Sequence, residues 1–160
     1  MQPAQYLNVR ELFDDRFFVI PDYQRGYSWG EENVKDLLND IERTRRRSLV
    51  HYTGTIVAKW DKNASVFEVV DGQQRLTTIL LLMTRLAEVL PEKSGDIRHR
   101  YVHRGGAGNE RLVVTPNAEI FDYFQKRVLD NEPNEPKQVA GHHAIDTAIG
   151  AVDEWLREHT

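Results

Sequence analysis

The sequence predicts an α+β fold, a small mixed sheet with a hairpin packed against several helices. Alternating apolar segments at 53–60 and 66–70 flank a turn of hairpin chemistry. Segments 31–46, 74–90 and 145–156 instead carry apolar residues at helical spacing. Short apolar runs at 16–20 and 112–114 lie between the helices and supply further strands.

Asn8 followed by Glu11 is a capping box, opening a short helix through Leu12 and Phe13. Arg16 to Ile20 is a strand stopped by Pro21, and Asp22 to Gly30 is an aromatic and polar loop. Val34, Leu37, Leu38 and Ile41 mark a helix from about Glu31 to Arg46. Thr53 to Trp60 and Val66 to Val70 are strands joined by the turn Asp61-Lys62-Asn63-Ala64. The second strand runs into Asp71-Gly72, and a helix follows from about Gln74 to Leu90. That helix is apolar on most sides and therefore central.

Pro91 ends it, and Glu92 to Arg111 reads as a polar connection. Leu112 to Val114 is a strand, and Pro116-Asn117 leads into a helix through about Leu129. Asp130 to Lys137, with two prolines, is a linker to a last helix. Ile145, Ile149, Val152 and Leu156 form its stripe, with Trp155 beside it. The expected division is a domain over 1–129, then a linker and helix over 130–160 leading toward a further domain.

The chain has 160 residues, enough to bury a core, and no cysteine. Thiol chemistry and disulfides are excluded, and a reducing cytoplasm is the expected location. No apolar stretch suits a signal peptide or a membrane span. A net charge of −4 argues against a general DNA-coating protein, although arginines leave room for local basic patches.

Asp71-Gly72-Gln73-Gln74-Arg75 joins a strand to a helix. Gly72 admits backbone angles closed to other residues, and the helix start presents unpaired N–H groups that suit an anion. Asp71 can hold a divalent cation or orient a water. Gln73 and Gln74 can position a water or read a base edge, and Arg75 can fork onto a phosphate. The same residues also suit a helix start capped by Asp71, and residue chemistry leaves both readings open. A second amide–arginine pair, Gln24 and Arg25, follows a strand and lies among Tyr23, Tyr27 and Trp29. Those rings can stack on a base or staple the loop to the core.

Together these segments resemble the N-terminal domain of GmrSD-type, modification-dependent restriction enzymes, a domain with a ParB/sulfiredoxin-like fold. The family pattern Ile-Pro-x-Tyr-Gln-Arg-x-Tyr-x-Trp is matched from Ile20 to Trp29. Leu-x-x-Asp-Ile is matched by Leu37 to Ile41, Gly-x-Ile by Gly54 to Ile56, and Asp-Gly-Gln-Gln-Arg-Leu-Thr-Thr by Asp71 to Thr78. Arg111 to Val114 followed by Phe121 fits the usual continuation.

The resemblance implies a domain that binds and hydrolyses nucleoside triphosphates with Mg²⁺ or another divalent cation. It also implies sensing of modified DNA, such as glucosylated cytosine or phosphorothioate backbones. DNA cutting is implied to belong to an HNH-type nuclease domain, in cis or in trans. On this reading Asp71, Gln73, Gln74 and Arg75 are catalytic, with Asp71 also the metal ligand. Tyr23, Gln24, Arg25, Gly72 and Arg75 bind the nucleotide. Tyr27, Trp29, Arg98, Arg100 and Arg104 face DNA, and a homodimer is compatible with the reading. The alternative is a module that binds DNA or nucleotide without hydrolysis. A ParB-like nuclease ranks lowest, because no metal cluster or activated nucleophile is legible.

Fainter signals read mostly as structure. Arg43, Arg45, Arg46 and Arg47 end a helix, where cations favour its dipole. Arg98 to Arg104 mixes basic residues with Tyr101 on an expected loop and can track phosphates. Gly105 to Gly108 reads as a flexible loop rather than a nucleotide fingerprint. His51 precedes the Gly54 strand, and the six histidines show no metal spacing.

Overall fold

A computed structural model describes residues 4–47, 54–105 and 110–160. Helix α1 (Val9–Phe13) starts at its capping box. Asn8 Oδ1 accepts from the Glu11 amide at 2.8 Å, and the Asn8 side-chain amide donates to the Glu11 carboxylate. Strand β1 (Phe18–Val19) follows, then α2 (Glu31–Arg47), β2 (Val57–Asp61) and β3 (Val66–Asp71). The β2–β3 turn closes because the Asp61 carboxylate accepts from the Asn63 and Ala64 amides at 2.9 and 3.3 Å.

Helix α3 (Gln73–Val89) leads through a short turn to α4 (Ser94–Tyr101). Strands β4 (His103–Arg104), β5 (Arg111–Leu112) and β6 (Val114–Thr115) come next, then α5 (Ala118–Phe124) and α6 (Ala140–His159). The main sheet runs β2–β3–β1–β6, with β2 antiparallel to β3 and β1 parallel to both its neighbours. β4 and β5 form a separate antiparallel pair. The expected α+β class, with its mixed sheet and hairpin, is the observed one.

Three expectations need correction. The connection expected over Glu92 to Arg111 contains α4 and β4. Leu112 to Val114 is not one strand. Val113 donates its amide to the Val102 carbonyl and accepts from the Phe18 amide, both at 2.8 Å, so the chain passes from one sheet to the other there. The helix through Leu129 is α5 followed by a π-helical turn over Gln125–Leu129. The start of the 53–60 strand at Thr53 lies outside the described residues, as do His51 and Gly106 to Gly108; the strand itself runs Val57–Asp61.

α3 is the central helix, as expected, and Leu76, Leu80 and Leu81 are enclosed. Its buried Thr77, Thr78 and Thr84 hydroxyls donate to carbonyls one turn back, which satisfies them without leaving the helix. α6 packs Ile145, Ile149, Val152 and Leu156 into the same core as α3, Val34 and Leu38 of α2, and Phe18 of β1. The boundary expected near residue 129 therefore does not follow a break in packing. Among the described residues no helix is long and apolar enough to cross a membrane.

Candidate functional site

The β3–α3 junction is built by two glycines that each seat a side chain of the other's segment. Gly72 has φ +96°, and a Cβ there would lie 2.5 Å from Ile56 Cδ1 and 3.0 Å from the Thr55 carbonyl oxygen. Gly54 has φ +134°, and a Cβ there would lie 2.2 Å from Cζ of Arg75. Only glycine combines that backbone angle with that closeness. Gly54-Thr55-Ile56 and Gly72 to Arg75 thus interlock, the ring of Trp29 lying 5.9 Å from the Arg75 guanidinium carbon.

Gln74 fixes the 20–29 loop to this junction. It is 8% exposed, and its Oε1 accepts from the Ser28 and Trp29 amides at 2.7 and 3.2 Å. Its Nε2 donates to the Gly26 carbonyl at 3.2 Å. Gln24 Nε2 donates to the Val70 carbonyl at 3.1 Å, beside Asp71. From the other side Asn117 Nδ2 donates to the carbonyls of Pro21 and Gln24 at 3.1 and 2.6 Å. The two motifs meet, but Gln24 and Gln74 commit their amides to main chain. Asn117 was not singled out from sequence. Its signal is an Asn just ahead of a helix, where it also caps α5 through the Glu119 amide.

Other polar groups at the junction have fewer partners. Among the described residues the exposed Asp71 carboxylate accepts only from its neighbour, the Gly72 amide, at 2.9 Å. It is therefore not the cap of α3. Gly72 holds the N-cap position, so no side chain caps the helix. Among the described residues the side chains of Gln73 and exposed Arg25 have no hydrogen-bond partner. Arg75 points inward. Its Nη1 lies 3.5 Å from the Thr55 carbonyl, and its buried Nε has no partner. Tyr23 is 72% exposed and donates its hydroxyl to Glu68 at 2.7 Å, which raises its pKa.

The structure removes Tyr27 from the DNA-facing set. It is 3% exposed, its hydroxyl is 2.7 Å from Thr78 Oγ1, and burial pushes its pKa up to about 12. A ring so enclosed has no face to offer a base. Trp29 is half-buried against Arg75. Arg98 and Arg100 stand on helix α4, not on a loop, and are ion-paired to Glu88 at 2.8 Å and Asp14 at 3.3 Å. Arg104 is in β4 and donates to the carbonyls of Phe13, Arg16 and Arg100.

Among known families, the model of the GmrSD restriction endonuclease, N-terminal domain, matches residues 9–149. The chain belongs to this family. No curated protein matches it. In this GmrSD-type domain the separated motifs act together on the fold, since the loop from Ile20 to Trp29 and the segment Gly54 to Ile56 both dock on Gly72 to Arg75. The match also extends into α6, in keeping with the shared core.

As for a cation, no three His or carboxylate groups cluster as ligands among the described residues. At the start of α3 stands the exposed carboxylate of Asp71, with one oxygen held by the Gly72 amide. That donor set fits Mg²⁺ arriving with phosphates and retaining waters, rather than a cation caged by protein. Two open depressions, of about 320 and 380 Å³, lie elsewhere. One is lined by Lys59, Trp60 and Glu68, the other by Glu42, Arg46 and His159.

Proposed function

We propose that this restriction-system domain binds a nucleoside triphosphate at the start of α3 and hydrolyses it while sensing modified DNA for a nuclease. The observation that carries the reading is a glycine-made helix start with no side-chain cap, where, among the described residues, Asp71 keeps one carboxylate oxygen unbonded and Gln73 has no side-chain partner, with exposed Arg25 on the docked loop. The first-turn N–H groups and the helix dipole favour a phosphate there. Arg25 supplies a cation from the docked loop. Gln73, with a donor and an acceptor, places the attacking water, and Asp71 accepts its proton or orients it.

Mg²⁺ entering with the phosphates would be held by Asp71 and would neutralise the charge that develops on them. Gln74 and Arg75 act by position, holding the loop and strand that frame the site. Tyr23 and Gln24 stay at the edge, with Gln24 pinning the loop. The reaction is tested by phosphate release from each of the four NTPs with Mg²⁺. Each is measured with and without DNA carrying glucosylated cytosine or phosphorothioate. Asp71→Ala is expected to lower release on the order of 10²-fold or more. Equal release by Asp71→Ala and the native protein would falsify the reading.

The commitment of Gln74 and Arg75 to the fold favours a second reading, binding without turnover. Calorimetric NTP binding with silent phosphate release under every condition selects it.

A further inference from the structure

Phe17, between α1 and β1, lies under two arginines. The guanidinium carbon of Arg111 is 4.6 Å from its ring centroid, and that of Arg104 is 5.2 Å away. Alongside, Arg16 stands 5.9 Å over Phe67, whose ring packs 4.9 Å from that of Trp60. Trp60 is 52% exposed, although it sits in a strand. The three arginines come from the α1–β1 link, β4 and β5 and lie over the Phe17 and Phe67 rings, and Arg111 also reaches the β2–β3 turn, where its Nη2 donates to the Ala64 carbonyl at 3.3 Å. Exposed Lys62 stands on the same turn.

Every one of these guanidiniums is anchored on main-chain carbonyls. Arg16 donates to those of Glu11 and Leu12, and Arg104 to those of Phe13, Arg16 and Arg100. A carbonyl aims an arginine but leaves its full charge in place. Among the described residues none of the three has a carboxylate partner. Arg85, Arg98 and Arg100, by contrast, each meet one. In a chain of net charge −4 this is a local positive surface, preset in direction and interleaved with rings. Cations spread over three elements suit repeated phosphates on one strand better than a single anion.

We propose that Arg16, Arg104 and Arg111, with Phe17 and Trp60 among them, are the surface on which the DNA backbone lies. The proposal rests on the DNA-sensing reading above. It replaces Arg98 and Arg100, whose charges are already met, and retains Arg104. Arg104 holds α1 to α4, so Arg16 and Arg111 are the residues to change.

The test is fluorescence anisotropy of a labelled DNA duplex, with and without the modified bases, against the whole chain over a salt series. Arg16→Gln/Arg111→Gln is expected to weaken binding on the order of tenfold. Its log–log salt slope is expected to fall by about 0.9 for each phosphate that is no longer neutralised. Arg111→Lys, which keeps the charge, is expected to keep the slope and guards against a folding defect. Arg157→Gln, on α6, removes a charge elsewhere and is expected to change neither. An unchanged slope in the double variant, or an equal loss in Arg157→Gln, overturns the surface but leaves DNA sensing standing. Absence of salt-dependent binding by the native chain to any duplex overturns both.

Discussion

At the scale of single residues the junction shows how little of a motif needs to touch a ligand. Gln74 has the chemistry to place a water, yet its side chain replaces a missing strand partner for the Gly26–Trp29 main chain. Gln74→Leu keeps the volume but strands two amides and a carbonyl. The expected cost is about 2–3 kcal/mol, read as a lower denaturation midpoint. Gly54→Ala is expected to be worse than its one methyl suggests, because the new Cβ overlaps the Arg75 guanidinium at a backbone angle alanine avoids. Tyr27 adds a pH test. Burial raises its hydroxyl from 10.0 to about 12, so its stabilising share is complete below pH 10 and is lost as pH rises toward 12. Tyr27→Phe is expected to flatten that alkaline limb in chemical denaturation. The sequence marked this cluster of residues correctly as a cluster. It could not tell amides aimed at a ligand from amides aimed at main chain, because the same donor and acceptor serve both.

At the scale of elements, helices with a strong apolar stripe were legible and short polar ones were not. α2, α3 and α6 fall where their periodicity puts them. α4 leaves no such mark, because Ser94–Tyr101 has no fully buried residue and contains Gly95, so its pattern alone reads as loop. Nothing in Leu112-Val113-Val114 signals a change of sheet, so the pattern reads as one strand where the chain forms the two-residue β5 and β6. The basic end of α2, read as a solvated terminus favoured by the dipole, has a more specific use. Arg45 and Arg46 both bond the Glu42 carboxylate, and His159 at the end of α6 approaches it at 3.5 Å. The Arg45 bond chiefly, helped by Arg46 and opposed by burial, lowers Glu42 from 4.5 to about 2. A lowered pKa gives stability that is present above about pH 4.5 and is lost as pH falls toward 2. Glu42→Gln is expected to remove that part of the acid limb while leaving the neutral-pH spectrum unchanged. An identical acid limb in the variant would show that the pairing of Glu42 with Arg45 and Arg46 does not stabilise the folded state.

At the scale of the whole molecule the question is whether the last helix is a part or an attachment. Proline-containing 130–137 looks like a linker by composition, and composition alone divides the chain there. Packing does not. Ile145, Val152 and Leu156 are almost wholly enclosed, in the core that also holds Leu80 and Leu38. At the edge of that core Arg85 of α3 grips Asp153 of α6 with two hydrogen bonds of 2.9 Å, and a third reaches Asn131 at 2.8 Å. Burying each large aliphatic side chain is worth about 2 kcal/mol, and a domain's net stability is only about 5–15 kcal/mol. Removing α6 forfeits several such burials at once and opens the face of α3 that leads back to Gln74 and the candidate site. A chain cut after Leu129 is therefore expected to lose its sharp melting transition and to bind an apolar dye, with any NTP binding lost alongside. Ile145→Ala, a milder change, is expected to cost about 2–5 kcal/mol while keeping a cooperative transition. A sharp melt at the native midpoint in the shortened chain would instead make residues 1–129 a domain by themselves, and α6 an appendage resting on it.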